Sequence, residues 1–181
     1  GENFEALTRL SAYEQWGRMP SHKAETQLLL GGLYLELGMH NEAGARFQTL
    51  LTQNIPAGVR NRAWFYLAKV WYARGYFDRA EQSLRKVQGQ LPAALDAEKQ
   101  QLFANALMHL GRYAEAEQLL LAWHGPDVWT TYARFNLGVA LVREGKLAQA
   151  EPILAAVGKL ESSLSEMLAL KDKANLALGF A

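Results

Sequence analysis

The sequence predicts an all-α fold built from a repeated pair of antiparallel helices. Ala, Leu, Gln, Glu and Arg dominate the 181 residues and only five are proline, a composition that favours helix. Runs of alternating Val, Ile and Thr, which would indicate strands, are missing. Four glycines recur at intervals of 37, 36 and 34 residues, and each separates two segments of helical period. These turn glycines are Gly38, Gly75, Gly111 and Gly145.

The first part of the chain contains three predicted helices. Residues 3–16 carry apolar side chains at the spacing of one helical face, and residues 22–37 do the same up to the glycine that ends the helix. A helix over about 41–51 follows, and the segment 54–58, which contains a proline and a glycine, is a loop. The breaks therefore coincide with residues that favour turns.

The middle of the chain contains the clearest unit. Helices over about 59–74 and 77–88 meet at Gly75. A further helix runs over about 93–110, because Pro92 is well placed at a first helical turn. Two helices joined by a glycine turn of this length form an antiparallel pair.

The last part of the chain repeats this arrangement. Helices are predicted over about 113–123, 128–144 and 147–157, and a final helix over 162–181. Pro152 lies about five residues into one of them, which predicts a kink or a late start of that helix.

Four positions around each turn glycine carry the same kind of side chain in all four units. A small residue lies seven positions before the glycine, a bulky one four before, an alanine five after and a large apolar residue nine after. Small residues in register let two helix backbones approach, and the bulky ones fill the seam. The alternative is an irregular helical bundle with fortuitous spacing. In the same order, the residues are Gly31, Ala68, Ala104 and Gly138; Tyr34, Trp71, Leu107 and Leu141; Ala43, Ala80, Ala116 and Ala150; and Phe47, Leu84, Leu120 and Leu154.

The middle unit resembles the tetratricopeptide repeat, whose pattern is W-x2-L-G-x2-Y…A-x3-F…P. The other units match less fully, since they lack the first Trp and usually the final Pro. The resemblance covers nearly the whole chain and implies a right-handed α-solenoid of tetratricopeptide-like helix pairs. The residues that match, with conservative changes, are Trp64, Leu67, Ala68, Trp71, Ala80, Leu84 and Pro92.

The predicted domain organisation is a single repeat array over residues 1–181. Both ends fall inside a repeat, so we expect the chain to be part of a longer solenoid, with a final helix that acts as a cap as the alternative. The array divides into a half repeat at 3–17, repeats at 24–57, 61–92, 97–126 and 131–160, and a front-half helix at 162–181.

Composition argues against several classes of function. The 19 basic and 18 acidic residues are dispersed and give a net charge of +1, which predicts no nucleic-acid partner. No apolar run approaches the roughly 20 residues of a transmembrane segment. The absence of cysteine excludes thiolate metal sites, and the four histidines lack metal-ligand spacing. Phosphate-binding loops and nucleophile elbows are also missing, so we expect neither cofactor nor catalysis.

The resemblance implies that the first helix of each pair lines an inner groove and contacts a ligand through residues between the framework positions. Aromatic and Met side chains beside amides and lysines suit an extended or helical peptide. For Phe65 and Phe135 the alternative is packing between neighbouring helices. The expected contact residues are Phe65, Lys69, Tyr72, Gln101, Asn105, Met108, Tyr132, Phe135, Asn136, Val139, Lys171 and Asn175.

Some proteins of this family hold the terminal carboxylate of a peptide with Lys, Asn and Arg side chains from three successive units. Asn105, Asn136 and Lys171 fall at matching places, but Gln101 and Asn175 replace the expected cations. With one cation left, strong carboxylate capture is disfavoured. The sequence therefore predicts a non-catalytic scaffold that binds another protein or a peptide. The alternative is a structural module that forms a homo-oligomer or packs against other domains of its own chain.

Overall fold

A computed structural model describes residues 2–15, 23–123 and 127–159. Every regular element in these ranges is an α-helix, which confirms the predicted fold class. The predicted helix over 162–181 lies outside the described residues. The helices are α1 (Glu2–Gln15), α2 (Lys23–Glu36), α3 (His40–Leu51), α4 (Ala57–Ala73), α5 (Phe77–Arg85), α6 (Ala93–His109), α7 (Tyr113–Leu121), α8 (Asp127–Arg143) and α9 (Leu147–Gly158).

The helix boundaries agree with the sequence prediction to within two residues except at the end of α5. Helix α5 ends at Arg85 rather than near residue 88. The reason is Asn61 on α4, whose Oδ1 accepts from the Gln88 backbone N–H at 3.1 Å and whose Nδ2 donates to the Gln88 carbonyl. This side chain takes the Gln88 N–H, which in a longer helix would donate to the carbonyl of Leu84. It also satisfies the Gln88 carbonyl, which Pro92 cannot serve because proline has no N–H. Helix α9 begins at Leu147 with Pro152 inside it, so the late start is wrong.

The four glycine turns are identical in design. Each glycine has φ between 72° and 78°. Other residues are disfavoured in this region because their Cβ clashes with the backbone. The residue after it donates its N–H to the carbonyl five positions back at 2.9 Å, which is the Schellman arrangement at a helix C-terminus. These bonds join Met39 to Tyr34, Tyr76 to Trp71, Arg112 to Leu107 and Lys146 to Leu141.

The chain forms two compact units, residues 1–91 and 92–181. In unit 1, α2–α3 and α4–α5 are successive pairs, and α1 packs on α2. In unit 2 the pairs are α6–α7 and α8–α9. The short turns make each pair antiparallel. Within each unit the second helix of one pair contacts the first helix of the next, and the two first helices contact each other. This stacking of pairs is the architecture of an α-solenoid.

The core of each unit follows the framework positions found in the sequence. Phe47 is fully buried in unit 1 and Leu154 in unit 2, and the alanines at the paired positions are buried beside them. Burial of each large apolar side chain stabilises the fold by about 1.5–3 kcal/mol. Among the described helices, none is long and apolar enough to cross a membrane.

Candidate functional site

In each unit the surface to consider is the one carried by the two first helices, because these helices contact each other and bring side chains from separate repeats together. We call this face the first-helix surface. In unit 1 it belongs to α2 and α4, and in unit 2 to α6 and α8. The residues expected from the sequence to contact a ligand lie on α4, α6 and α8, apart from Lys171 and Asn175, which lie outside the described residues.

Three amide side chains meet on the first-helix surface of unit 2. The Asn136 Nδ2 on α8 donates to the Asn105 Oδ1 at 2.8 Å and to the Gln101 Oε1 at 3.3 Å, both on α6. Gln101 is buried, whereas the two asparagines are half-buried. We call these three residues the amide cluster. The cluster joins two repeats. Its two asparagines are partly accessible, so neutral hydrogen-bonding groups lie at the first-helix surface.

The amide cluster has hydrogen-bonding capacity to spare. A carboxamide offers two N–H donors and an oxygen with two lone pairs. Among residues 2–15, 23–123 and 127–159, the structure records no further side-chain hydrogen bond for Asn105 or Asn136. The Asn105 amide nitrogen and the Asn136 oxygen can therefore serve one donor and one acceptor of a ligand.

Four apolar side chains lie on the same two helices as the amide cluster. Tyr132 and Phe135 are half-buried and pack against the core of unit 2, so each ring has one side fixed by the protein. Met108 and Val139 are also half-buried. The prediction that these residues share a surface with the amides is consistent with their positions on the two contacting helices.

The residues expected from α4 divide into two groups. Lys69 and Tyr72 are half-buried, and the Lys69 Nζ lies 5.8 Å from the centroid of the Phe65 ring. Burial raises the pKa of the Tyr72 phenol, which keeps its hydroxyl protonated at neutral pH. Its ring stands edge-on to Phe77 at 5.2 Å.

Phe65 lies elsewhere than the sequence prediction put it. Its side chain is fully buried at 0% exposure, and its ring centroid lies 5.4 Å from that of Tyr66. This position corresponds to the packing alternative. Of the three residues predicted on α4, only Lys69 and Tyr72 have side chains accessible at the surface.

Unit 1 also has a groove on its first-helix surface that sequence reasoning missed. It encloses about 290 Å³ between α2 and α4. Leu29 is 53% exposed there, and the position of Gly32 is open, since a Cβ on it would meet nothing within 4 Å. The signal in the sequence was the run of three leucines at 28–30, of which one helix can bury only part. The groove is lined by Glu25, Leu28, Leu29, Gly32, Leu33, Leu35, Glu36, Arg62 and Tyr66.

Comparison with protein families assigns the repeat. A family model described as tetratricopeptide repeat matches residues 28–95, and a second with the same description matches residues 104–122 and 131–156. The chain belongs to the tetratricopeptide repeat family. A search of curated protein sequences gave no match.

Solved structures share the fold. A structure titled "Crystal structure of YrrB: a TPR protein with an unusual peptide-binding site" is similar with a TM-score of 0.70 and 20% identity, over 99% of this chain and 85% of that one. The crystal structure of MamA is similar with a TM-score of 0.65 and 16% identity, over 92% of this chain and 89% of that one.

Family and fold together define a protein-interaction scaffold, a class that is generally non-catalytic. Within the described part of the chain, no group of three or more His, Cys, Asp or Glu side chains could hold a metal ion.

Proposed function

We propose that this protein binds a peptide segment of a partner protein on its first-helix surface, with the amide cluster of unit 2 as the polar anchor. The observation that carries the proposal is the Asn136 amide, which bridges two repeats and leaves donor and acceptor groups on helices that also carry half-buried apolar side chains. An extended peptide offers one N–H and one C=O per residue, which matches this pair of groups.

Energetics favour a peptide rather than a charged small molecule. Each neutral hydrogen bond contributes about 0.5–1.5 kcal/mol net. Contact of an apolar peptide side chain with Tyr132 or Phe135 adds about 25 cal/mol per Å² of apolar surface removed from water. Because Gln101, Asn105 and Asn136 are neutral, binding at the cluster selects for shape and main-chain geometry. The similar structure whose title describes an unusual peptide-binding site supports this class of ligand.

The groove between α2 and α4 is the corresponding feature of unit 1. Gly32 is an open position in a groove that Leu29, Leu33 and Tyr66 also line. A volume of about 290 Å³ accommodates apolar side chains of a ligand. Lys69 and Tyr72 add a cation and a hydroxyl on the neighbouring part of α4.

The test is a selection of 12-residue peptides from a random display library on the folded protein, followed by affinity measurements on purified variants. Asn136→Leu keeps the branched shape and the number of side-chain heavy atoms and removes the amide, and we expect at least about tenfold weaker binding of the peptides that use unit 2. Gly32→Gln fills the groove of unit 1 and should weaken the peptides that use it. The matched control is Gln118→Leu, an exposed amide on the second helix α7, which should bind all peptides normally.

Folding and self-association are checked on the same samples. Urea unfolding reports whether Asn136→Leu is folded, and Asn105→Leu provides an independent removal of the cluster. Light scattering over a range of concentrations reports the mass. If every selected peptide binds Asn136→Leu, Asn105→Leu and Gly32→Gln as tightly as the unchanged protein, the first-helix surface is not the peptide site. If no peptide binds and the mass measured by light scattering rises with protein concentration, the result supports the oligomerisation alternative.

A further inference from the structure

Unit 1 has a second groove on the side of its second helices. It encloses about 420 Å³ between α3 and α5, with α4 as its floor. Within the described chain, α3 and α5 do not contact each other, which leaves the valley open. Trp64 and Trp71 form the floor, and Leu51 of α3 faces Gln82 of α5 across it. We call this feature the α3–α5 groove.

The α3–α5 groove is lined by two cations. The Lys86 Nζ lies 4.3 Å from the centroid of the Trp64 ring, and the Arg79 Cζ lies 5.0 Å from that of Trp71. Cation–π contacts of this kind hold the side chains in place but leave their charge unneutralised.

No carboxylate balances these charges inside the groove. None of its lining residues is acidic, and among the described residues neither Arg79 nor Lys86 forms an ion pair. Elsewhere in the unit the pattern differs, since Arg85 on the same helix pairs with Glu81. A concave surface with one sign of charge concentrates ligands of the opposite sign.

The tryptophans at the floor differ in their exposure. Trp71 is 8% exposed and belongs to the core, which explains its place in the framework. Trp64 is only half-buried, so part of its indole is open to the groove next to Leu51. A ligand that binds here gains an aromatic surface and two cations at once.

We propose that the α3–α5 groove binds an acidic segment of a partner protein, with its carboxylates at Arg79 and Lys86 and an apolar side chain on Trp64. Arg79 lies on α5 and Lys86 directly follows the last residue of that helix, seven positions later, which is about 10 Å along the helix axis. Two acidic residues three positions apart in a segment of polyproline II conformation lie on the same face and about 9 Å apart, because this helix has three residues per turn and rises about 3.1 Å per residue. Gln48 and Gln82 on the two walls can pair with its main chain.

A peptide fits this groove better than a nucleic acid does. The dispersed charge of the chain, +1 overall, gives no extended basic surface along which a phosphate backbone could run. The groove instead combines two cations with an apolar floor and neutral walls. This surface lies on α3 and α5, so the inference does not rest on the peptide site proposed for the first helices.

The experiment uses the peptides selected on the folded protein, together with a 12-nucleotide single-stranded DNA as a second probe. We expect a group of peptides with two Asp or Glu residues three positions apart next to a large apolar residue. Their affinity should fall at least about tenfold in Arg79→Gln/Lys86→Gln, and further in Arg79→Glu/Lys86→Glu. The matched control is Arg143→Gln/Lys159→Gln, which removes two exposed cations from unit 2 and should leave the affinity unchanged.

Each result decides the proposal. Binding of these peptides should survive Asn136→Leu and Gly32→Gln, which separates this groove from the first-helix surface. If no selected peptide loses affinity in Arg79→Gln/Lys86→Gln while urea unfolding shows that variant to be folded, the proposal is overturned. It is also overturned if the DNA binds through Arg79 and Lys86 and displaces the peptides, because the groove would then be a nucleic-acid site.

Discussion

The ring of Phe47 occupies the space that a side chain at Gly31 would need. A Cβ on Gly31 would lie 2.5 Å from the Cε1 of that ring, well inside van der Waals contact. Leu154 stands in the same relation to Gly138, where a Cβ would lie 2.5 Å from its Cγ. These two contacts are the seams of helix pairs in different units, α2 with α3 and α8 with α9. Glycine is therefore required at these two positions for the helices of each pair to pack this closely.

Gly31→Ala should destabilise the protein, although alanine is the better helix former. Alanine in place of glycine gains about 1 kcal/mol of helix propensity. The added methyl group, however, meets a Phe47 ring that is fully buried and has no space to move. Overpacking of this kind costs about 1–3 kcal/mol, so we expect a net loss in the free energy of unfolding measured with urea.

The neighbouring glycine provides the control. Gly32→Ala adds the same methyl group one residue along the same helix, where nothing lies within 4 Å, and should raise the free energy of unfolding by up to about 1 kcal/mol. In the double variant Gly31→Ala/Phe47→Leu the losses should be less than additive, because the smaller side chain makes room. Equal changes in the free energy of unfolding for Gly31→Ala and Gly32→Ala would contradict the conclusion that the Phe47 ring requires a glycine at position 31.

The framework was predictable because it depends on local chemistry that repeats. Turn glycines and small–large pairs recur at fixed positions, so their pattern in the sequence indicates which helices touch. The end of α5 was not predictable in this way. It depends on Asn61, which lies 27 residues before Gln88 in the chain and meets it only in the folded unit.

The candidate site was predictable in part, for a related reason. Position in the repeat placed Asn105 and Asn136 on successive first helices, and the structure joins them by a hydrogen bond across two repeats. Position alone could not tell whether a side chain is covered by a neighbouring residue, which is why Phe65 is buried although Lys69, one turn further on, is half-exposed. The groove at Gly32 was missed because the three leucines at 28–30 look alike in the sequence, and only the fold shows that Leu29 is exposed while Leu28 and Leu30 are buried.

Asn61 should stabilise unit 1 through its two hydrogen bonds to the backbone of Gln88. It is 7% exposed, and its amide satisfies both backbone groups of Gln88. Asn61→Ala removes both hydrogen bonds, and at about 0.5–1.5 kcal/mol each we expect a loss of about 1–3 kcal/mol in the free energy of unfolding. Hydrogen exchange of the Gln88 amide should accelerate at the same time, because its acceptor is gone.

Asn54→Ala is the matched control for Asn61→Ala. Asn54 is exposed in the loop between α3 and α4, so its removal should change stability by less than about 0.5 kcal/mol. A Gln88 amide that exchanges at the same rate in Asn61→Ala and in the unchanged protein would show that the hydrogen bonds do not hold this segment.

The beginning of α9 is tied to α7 by a charged contact. The Lys146 Nζ lies 2.5 Å from the Glu117 Oε2 and 3.0 Å from the Glu144 Oε2. The hydrogen bond from Lys146 lowers the pKa of Glu117 below its usual 4.5, and the bond to Glu117 raises the pKa of Lys146 above its usual 10.5. The contact thus favours the charged form of both partners.

This contact predicts a specific dependence of stability on pH. Because the pKa of Glu117 is lower in the folded state, its contribution is present above about pH 4.5 and is lost as the pH falls through the folded value. The raised pKa of Lys146 keeps its contribution at all pH values below about 10.5.

In urea unfolding, Glu117→Gln should therefore be less stable than the unchanged protein at pH 7, and the difference should shrink as the pH falls from 4.5 to 3. Glu151→Gln, on the exposed side of α9, is the control and should show no such convergence. A difference between Glu117→Gln and the unchanged protein that is the same at pH 7 and pH 3 would mean that the carboxylate charge does not stabilise this junction.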